Sequence, residues 1–171
     1  MRPRLILLSA IAALLGLLIS SAITPLYILN FSHSVPVGLY RLKERSLQRG
    51  DFAVIQLGEP WRDLAWSRGY LLSKAWLIKP VAALAGDRVC RSGRAITING
   101  RISAIAQLTD ERGRLLPKWD GCKSLAQDEM FLLSGVDDSF DGRYFGVTSR
   151  SALIAKAVPA SWGVGIIDPA R

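Results

Sequence analysis

Histidine is nearly absent from this chain: His33 is the only one in 171 residues. A Ser-His-Asp triad would have to use it. His33 neighbours Ser34 in what reads as extended chain, where adjacent side chains point to opposite faces, so no role as a base is expected for it. Cysteine is almost as scarce, with only Cys90 and Cys122. One histidine and two cysteines do not furnish the usual zinc sets, and no His-Glu-x-x-His occurs. The chain also lacks a Gly-x-Ser-x-Gly elbow, a Ser-x-x-Lys motif and a glycine-rich phosphate loop. No metal and no cofactor are expected.

Acidic residues are the minority charge, 14 against 22 Lys and Arg, for a net charge of +8. The basic residues are dispersed (Arg41, Arg62, Arg88, Arg114, Arg150), with no basic block and no nucleic-acid-binding motif. Nucleic acid is therefore not an expected partner. A domain held near anionic lipid headgroups accounts for the charge more simply.

Charge is missing altogether between Leu5 and Tyr40. Leu5 to Thr24 is apolar or small throughout. As a helix it would measure roughly 30 Å, the thickness of a bilayer core. Pro25 is placed to end it. A cleaved signal peptide is the alternative, since Arg2 and Arg4 form a basic n-region and Ser20-Ser21-Ala22 a small-x-small pattern. The run is long for a signal-peptide core, and an uncleaved anchor is expected. Arg2 and Arg4 keep the short tail in the cytoplasm and send the following domain outward. Residues 1–28 are thus read as cytoplasmic tip and anchor, and 29–171 as an external domain. In that compartment Cys90 and Cys122 are expected to form a disulfide, with a buried free pair as the alternative.

Beyond the anchor the patterns are short and strand-like: Phe52–Leu57, Trp76–Leu84, Met130–Leu133 and Ala152–Val158. Ala95–Ile98, then Asn99-Gly100, then Arg101-Ile102 reads as a tight hairpin, because Asn-Gly suits a turn needing positive φ twice. Only Pro60 to Leu72 looks weakly helical. An all-β domain with mostly antiparallel connections follows. No internal repeat interrupts it.

With other chemistries set aside, a serine paired with a lysine remains. Lys79 is the only charge in the apolar run Trp76 to Ala85, and Ser34 lies a few residues past the anchor. A lysine stripped of water has a lowered pKa, and the neutral amine can take a proton from a serine hydroxyl. Taken singly, each has an ordinary explanation as a loop serine or a snorkelling lysine.

Together they carry a resemblance. Ser32-His33-Ser34-Val35-Pro36 resembles the first catalytic box of the bacterial serine–lysine signal peptidases. Leu77-Ile78-Lys79-Pro80 through Asp87-Arg88-Val89 resembles their lysine box, and Ile98-Asn99-Gly100 also fits. Ser139-Phe140-Asp141-Gly142-Arg143-Tyr144-Phe145-Gly146 resembles the third box, Ser-x-Asp-x-Arg-x-x-Gly. Asn30 to Tyr40 and Arg68-Gly69-Tyr70-Leu71 are similar to the TraF-type conjugative-transfer subfamily. The resemblance spans essentially the whole chain. It implies a signal-peptidase-like β-domain behind one transmembrane helix at the bacterial inner membrane, facing the periplasm. It implies Ser34 as nucleophile and Lys79 as general base. The Ser34 N–H and the Ser32 hydroxyl would form the oxyanion hole, Ser139 would orient the lysine, and Asp141 with Arg143 would be a supporting ion pair or, more simply, a surface pair. The substrate would be a membrane-bound propilin-like protein, with other proteins of a conjugation apparatus as further partners. Extended segments beside the site are suited to pairing with an extended substrate.

Two departures stand out. Val35 and Pro36 follow the serine directly, where general signal peptidases usually have Met and one more residue before the proline. Pro80 replaces the Arg that often follows the lysine, so either the strand is an edge there or the Pro80 nitrogen faces away from any partner. The rival readings are a general signal peptidase for secreted preproteins and a non-catalytic scaffold domain of a secretion complex.

Overall fold

The computed structural model describes residues 26–71 and 76–160. The expected anchor lies outside the described residues. Among those described, no helix is long and apolar enough to cross a membrane. The expected boundary after residue 28 falls within the first strand, β1 (Tyr27–Asn30).

Ten further strands follow: β2 (Gly38–Lys43), β3 (Phe52–Ile55), β4 (Leu77–Leu84), β5 (Arg88–Ser92), β6 (Ala95–Ile98), β7 (Arg101–Ile105), β8 (Gly121–Ser124), β9 (Glu129–Leu132), β10 (Thr148–Ser149) and β11 (Leu153–Pro159). They form a seven-stranded sheet in the order β1-β2-β11-β3-β4-β9-β10 and a four-stranded sheet in the order β7-β6-β5-β8. Every pairing in both sheets is antiparallel, as the short, turn-bounded strand patterns predict. The only helices described are α1 (Trp61–Ser67), inside the segment read as weakly helical, α2 (Gly142–Phe145), and a short 3₁₀ turn at Arg150–Ala152.

The small sheet is inserted between β4 and β9. Its entry is fixed by Asp87, whose carboxylate pairs with Arg49 and accepts from the Leu84 N–H (2.9 Å) and the Asn99 side chain (2.8 Å). These donors and the Arg49 charge favour the ionised form and hold the Asp87 pKa down against its burial. Asn99 and Gly100 close the β6–β7 hairpin with φ of 50° and 79°, the positive pair expected of Asn-Gly. Cys90 and Cys122 sit directly opposite each other in β5 and β8 and are bonded.

Three apolar clusters hold the domain together. One, around Ile55, Val81, Leu132 and Tyr144, underlies the large sheet. A second, with Val89, Ile96, Phe131 and Leu133, joins the two sheets. The third packs Val35 and Tyr40 against Val54 and Ile78, and so ties the serine-bearing turn to β3 and β4. Pro80 sits opposite Phe52 in the β3–β4 register, yet its carbonyl accepts from the Leu133 N–H (3.1 Å), on the other side of the strand. Nitrogen and carbonyl of a strand residue point the same way, so the donor-less Pro80 nitrogen faces away from β3.

One local expectation is corrected. The chain around His33 and Ser34 is not extended but a turn between β1 and β2. Its backbone carbonyls bond to the Asn30 side chain, and a turn thereby replaces strand pairing.

Candidate active site

Ser34 lies on this turn, half-buried. Val35 beside it is buried in the third cluster, and the Tyr40 hydroxyl donates to the Pro36 carbonyl at 2.6 Å, which closes the turn onto β2. From the other side, the Ser134 hydroxyl donates to the Ser34 carbonyl at 2.7 Å.

Lys79 is carried by β4 opposite Ala53, whose small side chain leaves the lysine room, and it is only 2% exposed. Its Nζ donates to Ser34 Oγ at 2.6 Å and to Ser139 Oγ at 2.7 Å. No carboxylate is among its hydrogen-bond partners in the described residues. Burial pushes its pKa down from 10.5 to about 8, helped by the Arg143 charge and opposed by Asp141 and Asp138. A lysine so placed gives up its proton far more readily than a free one. The Ser34–Nζ bond then reverses, and the hydroxyl donates to the amine.

Ser139 is positioned by a buried polar scaffold. Asp141 caps α2 by accepting from the Arg143 N–H (3.0 Å) and takes a second N–H from Ser134 (2.9 Å). The Arg143 guanidinium donates to the carbonyls of Val136 (2.7 Å), Asp137 (3.0 Å) and Ser134. The loop from Ser134 to Ser139 is thereby wrapped around one arginine. Arg143 Nε stands 3.8 Å from Asp141 Oδ1, with side-chain exposures of 1% and 0%. This is a buried pair, not the surface pair that was the simpler expectation. Burial raises the Asp141 pKa, against the pull of Arg143 and the two N–H groups. Gly142 is needed here: an added Cβ would meet the Leu132 carbonyl at 2.6 Å and the Phe131 ring at 2.8 Å.

The Ser32 hydroxyl donates to Asn30 Oδ1 at 3.0 Å, on the same turn as the Ser34 N–H. The Ser34 N–H itself finds no acceptor among the described residues. His33 is exposed and is not a hydrogen-bond partner of Ser34 or Lys79. The structure thus gathers Ser34, Lys79, Ser139, Asp141 and Arg143 into one connected group, with Ser32 beside it. Cys90 and Cys122 belong to the other sheet. Sequence reading passed over Asn30 and Ser134. Asn30 opens the Asn30–Tyr40 segment similar to the TraF type, but as a residue type it gave no sign of a role.

A serine hydroxyl, a buried amine and a second hydroxyl in one row on an antiparallel β-domain define a class, a serine peptidase candidate using an amine where others use imidazole. Residues 2–162 match the family described as signal peptidase, peptidase S26. The plasmid transfer protein TraF of Escherichia coli is 33% identical over 143 residues, covering 76% of this chain and 80% of that protein. The conjugal transfer protein TraF of Agrobacterium fabrum is 35% identical over 143 residues, covering 78% and 81%. A solved signal peptidase I of Enterococcus faecalis V583 is 15% identical, covering 67% of this chain and 98% of that one at a TM-score of 0.38. The chain belongs to the peptidase S26 signal peptidase family and is of the TraF type.

Proposed function

We propose that this chain is a membrane-anchored serine endopeptidase with a Ser34–Lys79 dyad, which matures an exported pilin-like subunit of a conjugation apparatus. The observation that carries the reading is the placement of the Lys79 amine, buried, 2.6 Å from Ser34 Oγ and 2.7 Å from Ser139 Oγ. The names of its relatives, plasmid and conjugal transfer proteins, support the setting in conjugation. The anchor is the uncharged run from Leu5 to Thr24, at the bacterial inner membrane, with the catalytic domain in the periplasm.

Neutral Lys79 takes the Ser34 proton as Oγ attacks the scissile carbonyl. The oxyanion is met by the Ser34 N–H and, after rotation, the Ser32 hydroxyl. The protonated amine then gives its proton to the leaving nitrogen as the C–N bond breaks, which leaves an acyl-Ser34 ester. Lys79, neutral again, activates water or a substrate amine to displace Ser34. Throughout, Ser139 accepts from the lysine and fixes the direction of its lone pair.

The test uses the full chain in liposomes with a pilin-like precursor of a conjugation apparatus, followed by mass spectrometry. Wild type is expected to shorten the precursor, and Ser34→Ala to leave it intact. Unchanged processing by Ser34→Ala overturns the mechanism. Processing of secreted preproteins but not of the pilin-like precursor overturns the substrate.

A further inference from the structure

The least ordinary side chain near the site is one that the mechanism above does not use. Asn30, the last residue of β1, is 7% exposed, and its carboxamide is the hub of the serine-bearing turn. Its Nδ2, with two N–H bonds shared among three acceptors, lies at hydrogen-bond distance from the carbonyls of Ser32 (2.8 Å), Val35 (3.1 Å) and Pro36 (3.1 Å). Its Oδ1 accepts from the Ser32 N–H (3.1 Å) and the Ser32 hydroxyl (3.0 Å). The three carbonyls fix which end is nitrogen, since only an amide N–H donates to them. One side chain thus holds the backbone on both sides of Ser34 and the hydroxyl of Ser32.

We infer that Asn30 is the positioning residue of the oxyanion hole. Two donors must aim at the developing oxyanion, the Ser34 N–H and the Ser32 hydroxyl. Neither is set by the Ser34–Lys79–Ser139 row. The direction of the Ser34 N–H depends on the Ser32–Pro36 backbone, which the Nδ2 bonds hold. The Ser32 Oγ is kept in reach by Oδ1, and its single proton points at Asn30 until an oxyanion offers a stronger acceptor. Preorganised donors of this kind act on the transition state more than on the bound substrate. Tyr40 and Ser134 brace the same turn, through the carbonyls of Pro36 and Ser34, but neither touches Ser32. No residue type other than Asn both presents two N–H groups to these carbonyls and accepts from an N–H and a hydroxyl with so short a side chain: Asp lacks the donors, and Gln is longer by a methylene.

The inference rests on the Ser34–Lys79 reading, and its test separates the two. The full chain in liposomes is assayed on a peptide spanning the precursor's cleavage site. kcat, KM, the pH midpoint of kcat and the melting temperature are measured for wild type, S34A, S32A, N30A, N30D and the N30A/S32A double variant. N30A and N30D are expected to lower kcat about 100-fold, the cost typical of a lost oxyanion donor, with KM within about three-fold of wild type. N30D keeps the side-chain volume and Oδ1 but turns a second oxygen toward three carbonyls, so it removes the donors without opening a cavity, and the melting temperature separates lost folding from lost positioning. N30A is expected to leave the pH midpoint in place, since it acts on the oxyanion and not on the base. The double variant is expected to lose far less than the product of the two single losses, because N30A already releases the hydroxyl that S32A removes. N30A and N30D within about three-fold of wild-type kcat overturn the inference, as do losses that multiply in the double variant. If S34A is active, the dyad reading falls and the inference with it. If S34A is dead and the Asn30 variants are not, only the inference falls.

Discussion

The Lys79 amine donates to Ser139 Oγ at 2.7 Å across 60 positions of sequence, and the Ser139 loop is in turn held by the Arg143 guanidinium. The partner that orients the candidate base is thus a neutral hydroxyl and not a carboxylate. A carboxylate there would stabilise the ammonium and raise its pKa, which defeats a base that must be neutral. Asp141, the nearest acid by influence, is engaged with Ser134 and Arg143 instead.

Lys79→Arg is expected to be as inactive as Lys79→Ala, at least ~10³-fold below wild type, because a guanidinium stays protonated. Ser139→Ala is expected to lose kcat by about 10- to 100-fold with little change in KM, since the amine keeps its place in β4 but loses its direction. His33→Ala is expected to match wild type. Steady-state kinetics on purified variants, with melting curves to confirm folding, checks all of these.

Activity is expected to rise with pH through a midpoint of about 8, the pKa to which burial lowers Lys79. The sign follows from the neutral amine being the reactive form. Stability moves the same way. The unfolded lysine keeps its proton up to its ordinary 10.5 while the folded one loses it near 8, so stability rises with pH between those values. A flat rate profile from pH 6 to 10, with chemistry rate-limiting, would count against a lysine base.

Breaking the buried Asp141–Arg143 pair from one side is expected to cost about 3–5 kcal/mol, the price of leaving a charge alone in the interior. Asp141→Ala also strips the Ser134 N–H and the α2 cap of their acceptor. Gly142→Ala is expected to cost about 1–3 kcal/mol through the clash of its methyl group with Leu132 and Phe131. Urea unfolding of the three variants, Arg143→Ala included, gives these values. Losses below about 1 kcal/mol would mean the scaffold is not what holds Ser139.

Reduction, or Cys90→Ser with Cys122→Ser, is expected to lower stability by about 3–4 kcal/mol, from the loss of a cross-link over a 32-residue separation. Its effect on kcat is expected to be small, because the bond lies in the four-stranded sheet and the serine–lysine row in the other. Two alkylatable thiols in native protein prepared from the cell envelope would contradict the bond.

Val35 packs against Tyr40 and the Pro36 carbonyl accepts from the Tyr40 hydroxyl, so the two residues after Ser34 shape the turn beside the nucleophile directly. Deletion of the gene is expected to block conjugation and leave bulk secretion intact. Rescue of a strain depleted of its housekeeping signal peptidase is the decisive measurement: none is expected, and full rescue would favour the general secretory reading.

The class of fold and the cast of the site were legible in local sequence patterns. Alternating and apolar runs marked β3, β4, β6, β9 and β11, Asn99-Gly100 marked the hairpin turn, and three short boxes carried Ser34, Lys79 and Ser139. These are local signals, legible because strand periodicity and turn chemistry act over a few residues. Only the tertiary structure decided how far Lys79 is buried, that Asp141 and Arg143 form an interior scaffold, and that Asn30 and Ser134 grip the serine turn. Ser34, Ser139 and Ser134 meet their partners over 45, 60 and 100 positions of sequence. Such contacts depend on sheet register and core packing. A one-residue slip of β4 would turn Lys79 to the opposite face while leaving every local pattern intact.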